Sequence, residues 1–375
     1  MTHVFVVNER TFNIHLQYLF AGTGYSVYEP SITSISQEKY YAENTFTGMI
    51  ADISKVRSGD NVLFYVTGCK KFFGVFEIDG APFFETKKTN YLGDALNKYL
   101  PFRVRIKPKR VYSKGILEQV ALDDISQIEK PYEMCWSMIY RKLTGMRGCS
   151  FVTDYEMNRM VNLLDAENCS SYLTGDSFCY DSDNKTIAID SVAHSYQGLT
   201  NSSLSINQRL YHVSGSHEGH LQAFLMQNYD ILPALKSKLF PQKVLKIWIG
   251  NEVVCSVGKR RIDVLTISET PDKIQIRIIE LKDEFLSKTV ITQQLPWYIK
   301  WVDEYLAPNL TEEKPIEIVP TLIAYPYKRN TVKKQEFENA LTTFNKNANT
   351  VCINATLCSI ECIFFDRTQF PIKIY

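Results

Sequence analysis

The chain reads as two mixed domains, α+β in its first part and α/β in its second. Three observations predict this. At 375 residues the chain is longer than one domain usually runs. Its 45% hydrophobic and 22% charged residues, with 22 Tyr and 21 Phe, let either half bury a core without disulfides or structural metal. The texture also changes twice. A strand-rich pattern over 1–168 gives way to a Ser-, Asn-, Asp- and Thr-rich stretch over 169–215, and a regular helix–strand alternation then fills 216–375.

The first part opens with a strand, "HVFVVN". In "RSGDNVLFYVTGCKKFFGVFEI" a turn at Ser58-Gly59-Asp60 precedes two strands separated by a second turn, a hairpin pattern. "PFRVRIKPKRV" alternates strictly, with Phe102, Val104 and Ile106 on one face and Arg103, Arg105 and Lys107 on the other. A helix closes this part: Thr153 and Glu156 fit a capping box, and Met157, Met160, Val161 and Leu164 form its apolar stripe. Residues 169–215 read as a linker, partly structured around "KTIAIDSV".

The second part starts with one helix, "SHEGHLQAFLMQNYDILPALKSKL". Strands follow at 244–249, 260–267 and 274–282, the last two joined by the turn "SETPD". A helix over 288–306, the strand "IVPTLIAY", the helix "KKQEFENALTTFNKN" and the strand "IECIFFD" complete a sheet flanked by helices.

Net charge is +1, from 42 basic and 41 acidic residues, so any electrostatic case for nucleic-acid binding must come from local patches. The nine cysteines are odd in number and lack a C-x-x-C pair, which reads as reduced thiols in a cytoplasmic protein. No run approaches a membrane span, and "MTHVFVVNERTF" lacks the basic start and apolar body of a signal peptide.

The strand "IQIRIIELK" carries the chemistry. Period 2 puts Glu280 and Lys282 on one face and Leu281 on the other. Alone, Glu-x-Lys is the pattern of an ion pair at a strand end. Asp263, in "KRRIDVLTI", lies on the preceding strand of the expected hairpin, so two carboxylates can meet at one sheet edge. With a main-chain carbonyl they make a hard oxygen site suited to Mg²⁺ (or Mn²⁺), and Lys282 could position water or offset charge on a phosphate. Glu218, with Leu221 and Leu225 three and seven residues on, faces the core side of its helix, and Gln294 and Tyr298 in "QQLPWY" stand four apart.

The order Glu218, "GKRRIDVL", "IIELK", "QQLPWY" resembles the PD-(D/E)xK nuclease superfamily, closest to its RecB-like and NucS-like branch, over 216–366. The resemblance implies a restriction-endonuclease-like fold in which Asp263, Glu280 and the Leu281 carbonyl bind the metal. It makes Lys282 the catalytic lysine, Glu218 an accessory ligand through water and Gln294 an orienting residue. Lys259 and Arg260 lengthen the usual link between Gly258 and Asp263, and Pro296 interrupts the Gln–Tyr turn. His217 and His220 flank Glu218 as a rival zinc pair, but no third ligand accompanies them.

"SGDNVLFYVTGCKKFFGVFEI", with Gly74, and "CWSMIYRKLTGMRGCSFVTDYEMNRMVNLL" look like a PUA-like β-barrel of the EVE kind, covering 3–168. Such domains read modified bases, which implies an aromatic pocket. Candidates for its walls are Trp136, Tyr65 and Phe46, for each of which core packing is the competing role. Arg103, Arg105, Lys107, Lys109, Arg110 and Lys114 lie in a stretch without acids. The first four form either a phosphate-tracking stripe or an ordinary solvated strand face.

The expectation is a metal-dependent DNA endonuclease for modification-dependent restriction, acting as a homodimer, since one site cuts one strand. A repair nuclease for mismatched or branched DNA and a catalytically inert nucleic-acid-binding protein are the alternatives. A nucleotide-signal switch has no Gly-rich phosphate loop to support it.

Overall fold

The structure, a computed structural model, describes residues 1–26, 48–85, 91–122, 148–200, 218–255, 260–282, 286–310, 313–327, 331–348, 350–366 and 373–374. They form two compact units, divided after residue 205. Both mix α and β structure.

The first unit is a sheet curled into a half-barrel. Its strands are β1 (Thr2–Val7), β2 (Phe20–Ser26), β3 (Asn61–Val66), β4 (Lys71–Ile78), β5 (Phe83–Phe84), β6 (Lys98–Pro108), β7 (Ile116–Leu117) and β8 (Cys149–Val152). The order is β2-β6-β4-β3-β1-β8, with β5 on β6 and β7 on β4. β1 runs parallel to β3, Val4 opposite Leu63, and the other ladders are antiparallel. Helix α1 (Glu9–Tyr18) starts where the Asn8 side chain accepts the Thr11 N–H at 2.8 Å, and it ends at Leu19 in the left-handed region. It lays Phe12 on Phe64 and Phe73, ring centroids 5.3 and 5.1 Å apart, at the centre of the core. Helix α2 (Asp154–Glu167) has the expected capping box, the Thr153 N–H donating to Glu156 Oε2 at 2.7 Å. Met157, Met160 and Leu164 are buried as its stripe predicts, while Val161 stays at the margin.

The segment expected to be a linker is, over 169–200, part of this unit. β9 (Phe178–Asp181) and β10 (Thr186–Ile189) pair as a hairpin, the latter inside the stretch expected to be ordered. Phe178 and Tyr180 insert against Phe76 and Phe12, with centroids 6.2 and 5.2 Å apart. The Ser-, Asn- and Asp-rich composition reflects the turns around these strands, and besides the two rings the segment is tied down by the Tyr180 N–H on Asn13 and by Lys185 on Glu9. Residues 201–215 of the expected linker lie outside the described residues.

The second unit is built on β11 (Lys246–Val254), β12 (Arg261–Glu269), β13 (Ile274–Lys282), β14 (Ile316–Ala324), β15 (Thr350–Val351), β16 (Thr356–Leu357), β17 (Glu361–Asp366) and β18 (Lys373–Ile374). β11, β12 and β13 form an antiparallel meander, and β14 joins β13 in parallel, Ile276 opposite Ile318. β16 and β17 extend the sheet beyond β14. β13 is therefore central, and Ile274 through Leu281 are all buried. Arg277, polar within that run, is satisfied by the Leu239 carbonyl at 2.9 Å, Thr321 Oγ1 at 2.8 Å and the Glu361 carboxylate.

Two expected helices differ in form. The one over 216–239 is two helices, α3 (Glu218–Asn228) and α4 (Pro233–Leu239). Pro233 lacks an N–H and disfavours helix at the residue before it, so the chain breaks and restarts with proline in the first turn. The one over 288–306 is regular only in α5 (Leu295–Trp301), which wide π-turns flank at Val290–Gln294 and Val302–Leu306. Helix α6 (Val332–Lys346) matches its expected span closely. Among the described residues no helix is long and apolar enough to cross a membrane, and no disulfide joins the described cysteines.

Candidate active site

Strand pairing brings the acids together. The β12–β13 ladder sets Val264 opposite Ile279, so the next step along it levels Asp263 with Glu280. The β11–β12 ladder pairs Asn251 with Val264 and Val253 with Ile262, which levels Glu252 with Asp263. Three carboxylates thus stand in a row across three strands.

Asp263 Oδ2 accepts the Leu281 N–H at 2.8 Å, which fixes its carboxylate at the Glu280–Lys282 segment. The Lys282 ammonium donates to Glu280 Oε1 at 3.0 Å, to Glu218 Oε1 at 3.0 Å and to the Leu281 carbonyl at 2.8 Å. Glu280 is almost wholly buried, Lys282 is largely so, and Glu218 opens to solvent with 44% of its side chain exposed. The strand-end ion pair and the clustered site are thus one object: the pair exists, and it lies inside the acid row.

Burial strips both carboxyls of water, and that is the main cause of their raised pKa values. For Asp263 the Glu280 charge adds to the rise, against the Leu281 N–H and Lys282; for Glu280 the Lys282 charge opposes it. Lys282 is raised despite burial, because Glu280, Glu218 and Asp263 favour its charged form.

The donor set fits a hard divalent cation. Three oxygens converge on the Lys282 ammonium, and Glu280 Oε2 is buried without a hydrogen-bond partner. Among the described residues no group of three or more His, Cys, Asp or Glu side chains could itself hold a metal ion. The available ligands are two carboxylates and a main-chain carbonyl.

Three residues escaped the sequence reading. Gln222 lies one helical turn after Glu218, and its side-chain amide donates to Glu252 Oε1 and to the Asp263 carbonyl, both at 3.1 Å. Glu252 also pairs with Arg261 at 2.7 Å, and its backbone is left-handed at φ 52°. Asn251 approaches Gln222 Oε1 at 3.5 Å. Carrying the strand beyond 249 would have found Glu252 by register alone.

Tyr298 is buried and donates to the Arg261 carbonyl at 2.9 Å, and burial with the nearby Glu280 charge raises its phenol pKa. Gln294 closes the first π-turn, and among the described residues no side-chain hydrogen bond ties it to the acids. His220 is buried in α3, whereas His217, Gly258 and Lys259 lie outside the described residues.

In the first unit the expected basic stripe does not form. Arg103 is fully buried, donating to the Leu100 carbonyl at 2.7 Å, Tyr196 Oη at 3.0 Å and the Tyr91 carbonyl at 2.8 Å. Arg105 is half-buried, its guanidinium 4.9 Å from the Tyr196 ring centroid. The segment carrying Tyr196 covers this face of β6, so alternation delivered the arginines to a second core. Lys107 and Lys109 are exposed but both pair with Glu77, at 2.9 and 3.1 Å. Arg110 pairs with Asp165 and Lys114 with Glu167.

Tyr65 is a core residue, 5% exposed, with its hydroxyl donating to Glu118 and its ring against Phe72. Phe46 and Trp136 lie outside the described residues.

No protein-family model matches the chain, and no curated protein matches it.

Proposed function

We infer that the second unit is a metal-dependent endonuclease of the PD-(D/E)xK kind, hydrolysing the phosphodiester backbone of DNA. One observation carries the reading: Asp263, on β12, is held by the Leu281 N–H at 2.8 Å between Glu280 and Lys282 of β13, which are themselves hydrogen-bonded at 3.0 Å. Asp263, Glu280 and the Leu281 carbonyl would hold Mg²⁺ or Mn²⁺. When bound, the ion would supply Lewis acidity at the phosphate and a water of lowered pKa.

The chain's own residues divide the remaining work. The Leu281 N–H holds Asp263 in place, so its second oxygen is free to bind. Lys282 offers a charged donor at the reacting phosphate, orienting water or offsetting developing negative charge. Glu218, the most exposed of the acids, can reach the cation through water. Gln222 keeps the helix bearing Glu218 in register with Asp263.

The first unit would select the target. Its resemblance to EVE-like domains over 3–168 and its curled sheet support the reading of a modified base and a role in modification-dependent restriction. Cutting both strands would require two copies or successive nicks.

Digestion of phage DNAs carrying different modified cytosines, with Mg²⁺ and with EDTA, tests both halves. Cutting is expected only with Mg²⁺, only by protein with Asp263 and Lys282 intact, and preferentially on modified DNA. Equal cutting of plain DNA removes the sensor role. Preference for mismatched or branched DNA moves the protein to repair. No cutting, with Asp263→Ala and Lys282→Ala leaving Mg²⁺ binding unchanged, leaves an inert DNA-binding protein.

A further inference from the structure

Trp248 and Trp301 are buried, whereas Trp297 keeps 44% of its surface in water. Its neighbours Leu295, Tyr298 and Ile299 are buried, so α5 is anchored and Trp297 faces outward with Pro296 and Lys300. The Arg260 guanidinium lies 4.8 Å from the Trp297 ring centroid. Arg260 is exposed and has no acidic partner among the described residues, whereas the adjacent Arg261 is taken by Glu252. An exposed cation–π pair adds little to folding, and tryptophan is ordinarily well covered. Stability alone therefore gives no reason for the pair.

Its position does. The Arg260 carbonyl accepts the Cys255 N–H at 3.1 Å, and the Arg261 carbonyl accepts the Tyr298 hydroxyl at 2.9 Å. The start of β12 and the helix carrying Trp297 are thereby joined, three residues and about 10 Å of strand from Asp263. One DNA strand is long enough to touch both places.

We propose that Trp297 and Arg260 form a subsite for one unpaired base beside the phosphate to be cut. The favoured substrate is then DNA that is single-stranded or locally opened there. An indole face accepts any unstacked base and rejects one locked in a duplex, and the guanidinium adds charge for the adjoining phosphate. The inference rests on the nuclease reading for the meaning of the cut, and not for the binding itself.

The test is fluorescence anisotropy in EDTA with the full chain carrying Lys282→Ala, using a labelled single strand, a splayed fork and a blunt duplex. Adding Trp297→Ala should weaken single-strand and fork binding about tenfold and leave duplex binding within about twofold. Trp297→Phe should retain most of the affinity, and Arg260→Ala should weaken all three. Undiminished single-strand binding by Trp297→Ala overturns the subsite, as does an equal loss on duplex, and as does a parent protein that binds no DNA. Cutting by the unaltered protein is scored separately. A protein that binds as expected and cuts nothing loses the nuclease reading and keeps the subsite, while one that cuts and ignores Trp297→Ala loses only the subsite.

Discussion

Asp263 and Glu280 have raised pKa values chiefly because both are buried, and the consequences for cutting and for stability have opposite signs. A cation needs both groups as carboxylates, so protons compete with it and cutting should rise with pH through the raised values. In the protein without metal, a raised carboxyl pKa contributes stability that is fully present below the ordinary value near 4 and is lost as pH rises through the folded value. Asp263→Asn keeps an acceptor for the Leu281 N–H and removes the buried charge. It should raise the melting temperature at pH 8 and lower cutting by at least about 10²-fold; a melt and a plasmid-nicking assay check the two together. Glu252 adds to the rise in both groups. Glu252→Gln should therefore shift the acid limb of the pH–rate profile to lower pH, read from initial rates at saturating Mg²⁺.

At the scale of elements, Gln222 joins α3 to β12. Gln222→Met keeps the volume and removes both hydrogen bonds, leaving Glu252 Oε1 and the Asp263 carbonyl without that donor. The expected effect is about 1–3 kcal/mol of stability, with a loss of cutting of tenfold or more as Glu218 drifts from register. Urea midpoints and initial rates measure each. The acid site was legible in sequence where it depended on local period: Glu280 and Lys282 share a face by alternation, and Asp263 follows from the hairpin. Glu252 was not, because the expected strand stops before Gly250-Asn251, a pair that looks like a turn, whereas β11 runs on to Val254. Arg103 misled for a different reason. Alternation tells which side chains share a face, and only the remote Tyr196 segment decides whether that face meets water. Pro233 was visible and its consequence is local, so the break between α3 and α4 could have been read.

Over the whole molecule, the two units carry separate cores. The aromatic cluster on Phe12 belongs to the first, the aliphatic sheet around β13 to the second. Scanning calorimetry should resolve two transitions. Mg²⁺ should raise only one of them, by mass action on the folded second unit, and Asp263→Asn should abolish that rise. The expected two-part division and the sheet flanked by helices follow from period and composition. The attachment of 178–189 to the first unit did not, because it depends on contacts with residues remote in sequence, Phe12, Asn13 and Phe76 among them.

The Lys282 ammonium, resting against Glu280, Glu218 and the Leu281 carbonyl, offsets part of the pocket's negative charge from within the chain. Small metal-dependent modules unravel in chelator because the metal's binding free energy is their folding free energy. Here a counter-charge is already in the chain, so the second unit should stay folded without a cation. On the nuclease reading, cation supply would then set how fast the protein works, and circular dichroism in EDTA should show the second unit still folded.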